Sequence, residues 1–201
     1  MFISKISKSK IANLTDFRKS KEYITYVKKT VNVEFMRIKK KMISAFNNHP
    51  VTVEINAGPN ASNTSNTLSG VGNLYSYIGF EKGDQPTLPV LQKLEAETFL
   101  SSVVFSKNGT FRVVVNNPTA AEIFDITPLP WAKGRSWAEG IEKGLSGFGL
   151  YLNQESTFSR SGSGIQVKNK LRSGKFKNVQ YISKIIKDFE KEIIKLNNQA
   201  F

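Results

Sequence analysis

The sequence predicts an α+β fold: a mainly antiparallel sheet packed by a long N-terminal helix and a C-terminal helix. Three observations carry that prediction. Ile24, Val27, Val31, Phe35, Ile38, Met42 and Phe46 recur at steps of three and four, the spacing of one apolar stripe on a helix. Val179, Ile182, Ile185, Ile186, Phe189, Ile193 and Leu196 form a second such stripe near the other end. Between them, Leu100–Val115 reads LSSVVFSKNGTFRVVV, with Asn108-Gly109 set between β-branched and aromatic runs as in a hairpin.

The elements follow in order. Residues 1–13 are basic and serine-rich with little periodicity, which reads as a flexible arm; residues 14–201 read as one α+β domain. Thr15-Asp16 looks like a helix start, and Asn47-Asn48-His49-Pro50 a stop, because proline disfavours helical geometry in the residue before it. Val51–Ile55, VTVEI, alternates as a strand does. Residues 56–73, NAGPNASNTSNTLSGVGN, are polar and offer no burial to offset ordering. They read as a flexible loop, or as a segment that orders against a partner. Leu74–Phe80 resumes apolar content, Pro86 and Pro89 mark a turn, and residues 90–99 read as a short helix. Ala121–Ile126 reads as a strand before Pro128 and Pro130. Trp137, Ile141 and Leu145 suggest a short helix in a glycine-dense stretch.

Composition narrows the class. With 201 residues, 39% of them hydrophobic, the chain can bury a core. No apolar run approaches the roughly 18 to 20 residues that cross a bilayer, so no membrane partner is expected. The absence of cysteine excludes disulfides and thiolate metal sites. The net charge of +13 is unevenly placed: +9 over residues 1–48, −3 over 49–158 and +7 over 159–201. Such a field favours polyanions or acidic protein surfaces, although surplus surface lysine alone gives the same sum.

Chemistry is hard to find. The single histidine, His49, precedes Pro50, where its ring suits capping carbonyls or facing water better than catalysis. No serine sits in a nucleophile elbow, and no His-Glu-x-x-His or calcium loop is present. Glu95 with Glu97, and Glu139 with Glu142, are carboxylate pairs of the kind that usually face solvent. Arg172-Ser-Gly-Lys175 lacks the first glycine and the hydroxyl of a phosphate loop. The expectation is a protein that is not an enzyme and takes no cofactor and no metal.

What remains is a basic segment. Arg160, Lys168, Lys170, Arg172 and Lys175 lie in FSRSGSGIQVKNKLRSGKF, residues 158–176, with a phenylalanine at each end for stacking. Two readings stay open for it: sequence-independent contact with nucleic-acid phosphates, and contact with a protein partner.

A lysine-rich first helix ends at His49-Pro50 and is followed by VTVEI, LYSYIGF and a proline-flanked segment. A hairpin, LPWAKGRSWAEGIEKGLSGFGLYL and SRSGSGIQVK come next, before the final helix. In this order the chain resembles the neck and tail-completion proteins of long-tailed bacteriophages, small α+β subunits at the joint between head and tail. The resemblance spans most of residues 20–198. It implies a virion structural protein, assembled in the host cytoplasm as a homo-oligomeric ring, with connector and tail proteins as neighbours and DNA in the lumen. It supplies no catalytic residue. Under it, Arg160, Lys168, Lys170, Arg172 and Lys175 are expected at a partner or DNA contact. Ile165 and Val167 are expected at a subunit contact, and Trp137 in the core or at such a contact.

Overall fold

The computed structural model describes residues 17–68, 72–107, 110–130, 132–143 and 177–198. The fold is α+β. Helix α1 (Lys21–Asn47) begins where Ser20 Oγ accepts the Tyr23 N–H at 3.2 Å, after helical residues at 17–18; the expected start at Thr15-Asp16 lies outside the described residues. The N-terminal arm lies outside the described residues. Val27, Val31, Phe35, Ile38, Met42 and Phe46 are all buried along α1, joined by Tyr23. Helix α2 (Pro50–Asn56) follows almost at once, so VTVEI is helical and not a strand. His49 caps this helix through Nδ1, which accepts the Val51 N–H, and Pro50 sits in its first turn.

After a single 3₁₀ turn (Gly58–Asn60) come α3 (Leu74–Ile78) and α4 (Leu88–Glu97). Asn73 Oδ1 caps α3 by accepting the Ser76 N–H, and Gly79 ends it at φ +92°, a left-handed conformation that glycine enters without strain. The expected hairpin is present as β1 (Phe99–Phe105) and β2 (Phe111–Asn116), antiparallel with a bulge near Leu100–Ser102; its Asn108-Gly109 turn lies outside the described residues. Residues 121–126, expected as a strand, are instead helix α5 (Ala120–Asp125) and its C-cap Ile126. Its start is a capping box: Thr119 Oγ1 accepts the Glu122 N–H, and the Glu122 carboxylate accepts the Thr119 N–H. A second antiparallel pair, β3 (Pro128–Leu129) and β4 (Ala132–Ser136), leads into α6 (Trp137–Lys143). Helix α7 (Ile182–Asn197) closes the fold. The described strands form these two ladders, both antiparallel as expected.

The core lies where α7 packs along α1, with Phe35 and Phe189 edge-to-face at 6.5 Å. The inner face of the hairpin, Leu100, Val103 and Phe105 opposite Val115, Val113 and Phe111, packs against this core. An aromatic chain runs through the other end: Tyr75 to Phe80 at 5.4 Å, Phe80 to Trp137 at 6.0 Å, Trp137 to Tyr181 at 6.4 Å and Tyr181 to Phe46 at 6.0 Å. Trp137 is 1% exposed. It is a core residue and offers no surface for a subunit contact in this fold.

Candidate functional site

Arg160, Lys168, Lys170, Arg172, Lys175, Ile165 and Val167 lie outside the described residues, within the span 144–176. The points from which that span departs and to which it returns are described, and they are fastened to each other. The Val179 N–H donates to Ile141 O at 3.3 Å, and the Lys177 N–H donates to Thr67 O at 3.1 Å. Glu142, in the last turn of α6, accepts from Ser183 N–H at 2.7 Å and from Ser183 Oγ at 2.5 Å. Tyr181 supplies no side-chain cap to α7, so a carboxylate from another element does that work at the positive end of the helix dipole. Glu142 is therefore no idle solvated charge. Its neighbour Glu139 pairs with Lys143 at 2.6 Å instead.

His49 and Tyr181 lock the same root from below. With Nδ1 accepting from Val51, the hydrogen sits on Nε2, which donates to Gln180 O at 3.2 Å. Burial lowers the His49 pKa from its ordinary value of 6.5; the Gln180 bond opposes that shift, Lys184 adds to it and Glu142 opposes it. The Tyr181 ring lies 4.7 Å from the imidazole, and its hydroxyl shares a 2.7 Å bond with Thr52 Oγ1. Burial pushes the Tyr181 phenol up, so it stays a neutral hydrogen-bonding group.

The described part of the polar loop 56–73 meets this root at Thr67, and it is built on a buried carboxylate. Glu54 is fully buried; Oε2 accepts the Ser65 N–H and Oε1 the Leu74 N–H, both at 2.7 Å. Asn73 Nδ2 ties back to Pro59 O at 2.7 Å, and Thr67 and Leu68 are buried. The expectation that the loop buries nothing is thus corrected for its described part: Thr67 and Leu68 are buried, and the Ser65 amide is held on the Glu54 carboxylate.

A second surface runs along α1. Opposite its buried stripe, Tyr26, Val33 and Met36 are 58%, 58% and 54% exposed, and Ile43 ends the line half-buried, packed in part against the core. Met36, Arg37, Lys39, Lys40 and Ile43 line a shallow groove of about 680 Å³ whose far wall is Glu95 of α4. Lys39 Nζ donates to Glu95 O at 2.6 Å and joins the two helices. Glu95 and Glu97 lie on this helix, and Glu97 pairs with Lys93 at 2.7 Å.

Among the described residues, no cluster of three or more His, Cys, Asp or Glu side chains has the arrangement of a metal site, and no helix is long and apolar enough to cross a membrane. Comparison with protein-family models, curated proteins and solved structures returns no match.

Proposed function

We propose that the chain is a structural assembly subunit of the neck or tail-completion type, one copy of a ring that joins phage head and tail around the DNA channel. The observation that supports this reading is the fastened root. A span of 33 residues carrying five cations and one acid leaves and re-enters the fold between paired backbone groups, Ile141 with Val179 and Thr67 with Lys177. On this reading the span between those bonds serves contact with neighbours, and the core of α1 and α7 does not depend on it. Arg160, Lys168, Lys170, Arg172 and Lys175 then meet acidic neighbours or lumenal DNA, and Ile165 and Val167 meet the next subunit. A +13 protein repeated around a closed ring sums to a strongly positive lumen, which suits a polyanion. On this reading the chain makes and breaks no bond.

The test compares the full chain with one in which residues 144–176 are replaced by a short Gly-Ser bridge between Lys143 and Lys177. The bridged chain should fold with a melting temperature near the parent's and fail to enter rings when co-expressed with connector and tail proteins, read by light scattering and electron microscopy. A bridged chain that assembles like the parent, or a parent that stays monomeric beside its neighbours, counts against the proposal. The basic composition of 158–176 supports one other reading, a free-standing nucleic-acid-binding module. Tight duplex binding by the unassembled monomer, falling steeply with salt and lost in Lys168→Glu with Arg172→Glu, would put that reading first.

A further inference from the structure

We propose that the outward stripe of α1 seats an acidic amphipathic helix supplied by a different protein of the assembly; this rests on the assembly reading above. Tyr26, Val33, Met36 and Ile43 follow one another at steps of seven, three and seven, the spacing of a helix–helix seam. At 1.5 Å per residue the seam runs roughly 26 Å. Three of its four side chains are more than half exposed, whereas the residues on the opposite face of the same helix are buried in the core. The buried stripe packs on α7, and α4 meets the outward stripe only at its edge, where Lys39 reaches Glu95 beside Ile43; Tyr26, Val33 and Met36 stay exposed.

The charge around the seam selects the occupant. Lys29 and Lys40 fall within the seam, and Arg37 flanks it; all three are exposed. Arg37 pairs with Glu34 at 2.8 Å, an exposed pair on its own helix that a partner carboxylate can join or replace. A second copy of α1 is a poor occupant. The axis of an antiparallel pairing passes between Val33 and Met36, which sets Lys29 of each copy against Lys40 of the other. A parallel pairing sets each lysine against itself. Both leave like charges at seam positions, where they oppose association. Duplex DNA gains nothing from an aliphatic floor of Val33, Met36 and Ile43. A helix with apolar seam residues and flanking carboxylates satisfies both floor and rim.

The test uses the unassembled full chain and labelled probes followed by anisotropy: a helical peptide with leucine at seam positions and glutamate beside them, an isomer of the same composition with no seam, a counterpart with lysine for glutamate, duplex DNA, and phosphatidylglycerol vesicles. The seam peptide should bind at least roughly tenfold tighter than the isomer, and Met36→Glu should weaken it by a similar factor. Lys29→Glu with Lys40→Glu should reverse the preference toward the lysine counterpart. These positions are exposed, and circular dichroism checks that the variants fold. Equal binding of seam peptide and isomer overturns the inference, as do tighter binding of duplex or vesicles and affinities that the substitutions leave unchanged. So does self-association that Met36→Glu abolishes, since the occupant is then a second copy. Ring formation is scored separately: rings without peptide binding sink the docking inference alone, and peptide binding without rings sinks the assembly reading.

Discussion

The side-chain amide of Asn197 meets the backbone of Val113 at both of its polar groups. Oδ1 accepts the Val113 N–H at 2.6 Å, and Nδ2 donates to the Val113 carbonyl at 3.4 Å. Val113 pairs with Val103 across the hairpin, and its own polar groups face outward. The last turn of α7 thereby supplies what a neighbouring strand would supply, and blocks one edge of a two-stranded sheet. Asn197→Ala should cost about 1–3 kcal/mol in chemical denaturation, because the Val113 N–H loses its acceptor. Faster aggregation on mild heating should accompany the loss.

Glu54→Gln tests the carboxylate under the polar loop. An amide presents one oxygen in place of two, so either Ser65 or Leu74 loses its acceptor in a buried setting. A destabilisation of about 1–3 kcal/mol is expected, with faster amide exchange at Ser65 and Leu74. An unchanged exchange rate at both amides would show that the loop is held by other contacts.

His49 makes stability depend on pH, with a sign that follows from its depressed pKa. The unfolded chain protonates His49 near the ordinary 6.5, while the folded chain resists because burial disfavours the imidazolium and Nδ1 is occupied by the Val51 N–H. The unfolded state therefore binds more protons as pH falls below 6.5, and stability declines in that direction. Above that value the contribution is fully present. His49→Asn keeps a capping oxygen without the titration and should flatten the slope of unfolding free energy just below about pH 6.5. Glu122, Asp188 and Glu192, whose pKa values are also lowered by hydrogen bonds to Thr119, Lys191 and Lys195, lose their contributions in a separate, more acidic window.

Trp137→Ala should act on folding before assembly. The ring lies between Phe80 and Tyr181, and its loss should cost about 3–5 kcal/mol by opening a cavity. Trp137→Phe should cost much less. If the alanine variant melts like the parent and only ring formation fails, the core assignment is wrong.

Much of the fold was legible in the sequence because α1 and α7 each carry a long stripe at helical spacing, and the hairpin carries Asn-Gly between β-branched runs. VTVEI was not legible. In five residues alternation and helical spacing overlap, and the choice was made by Pro50, which suits a first turn as well as a stop, and by the buried bonds of Glu54. Thr119-x-x-Glu122 is a capping-box pattern, and it identifies α5 where β-branched content suggested a strand. The root of the 144–176 span was out of reach, because Glu142 meets Ser183 across 41 positions of chain and periodicity carries no information at that range. The second stripe of α1 was legible in principle, as another set of apolar residues at seam spacing on the same helix.

The packing of α7 on α1 has a consequence for synthesis. The surface that buries Phe35 is completed only when Phe189 has left the ribosome, and ribosomes add about 5–20 residues per second. For something on the order of ten seconds a nascent α1 has its inward greasy face bare as well as its outward one, and a message truncated ahead of residue 182 never covers the inward face. Chaperones and proteases can therefore distinguish a finished product from a fragment by that first helix alone.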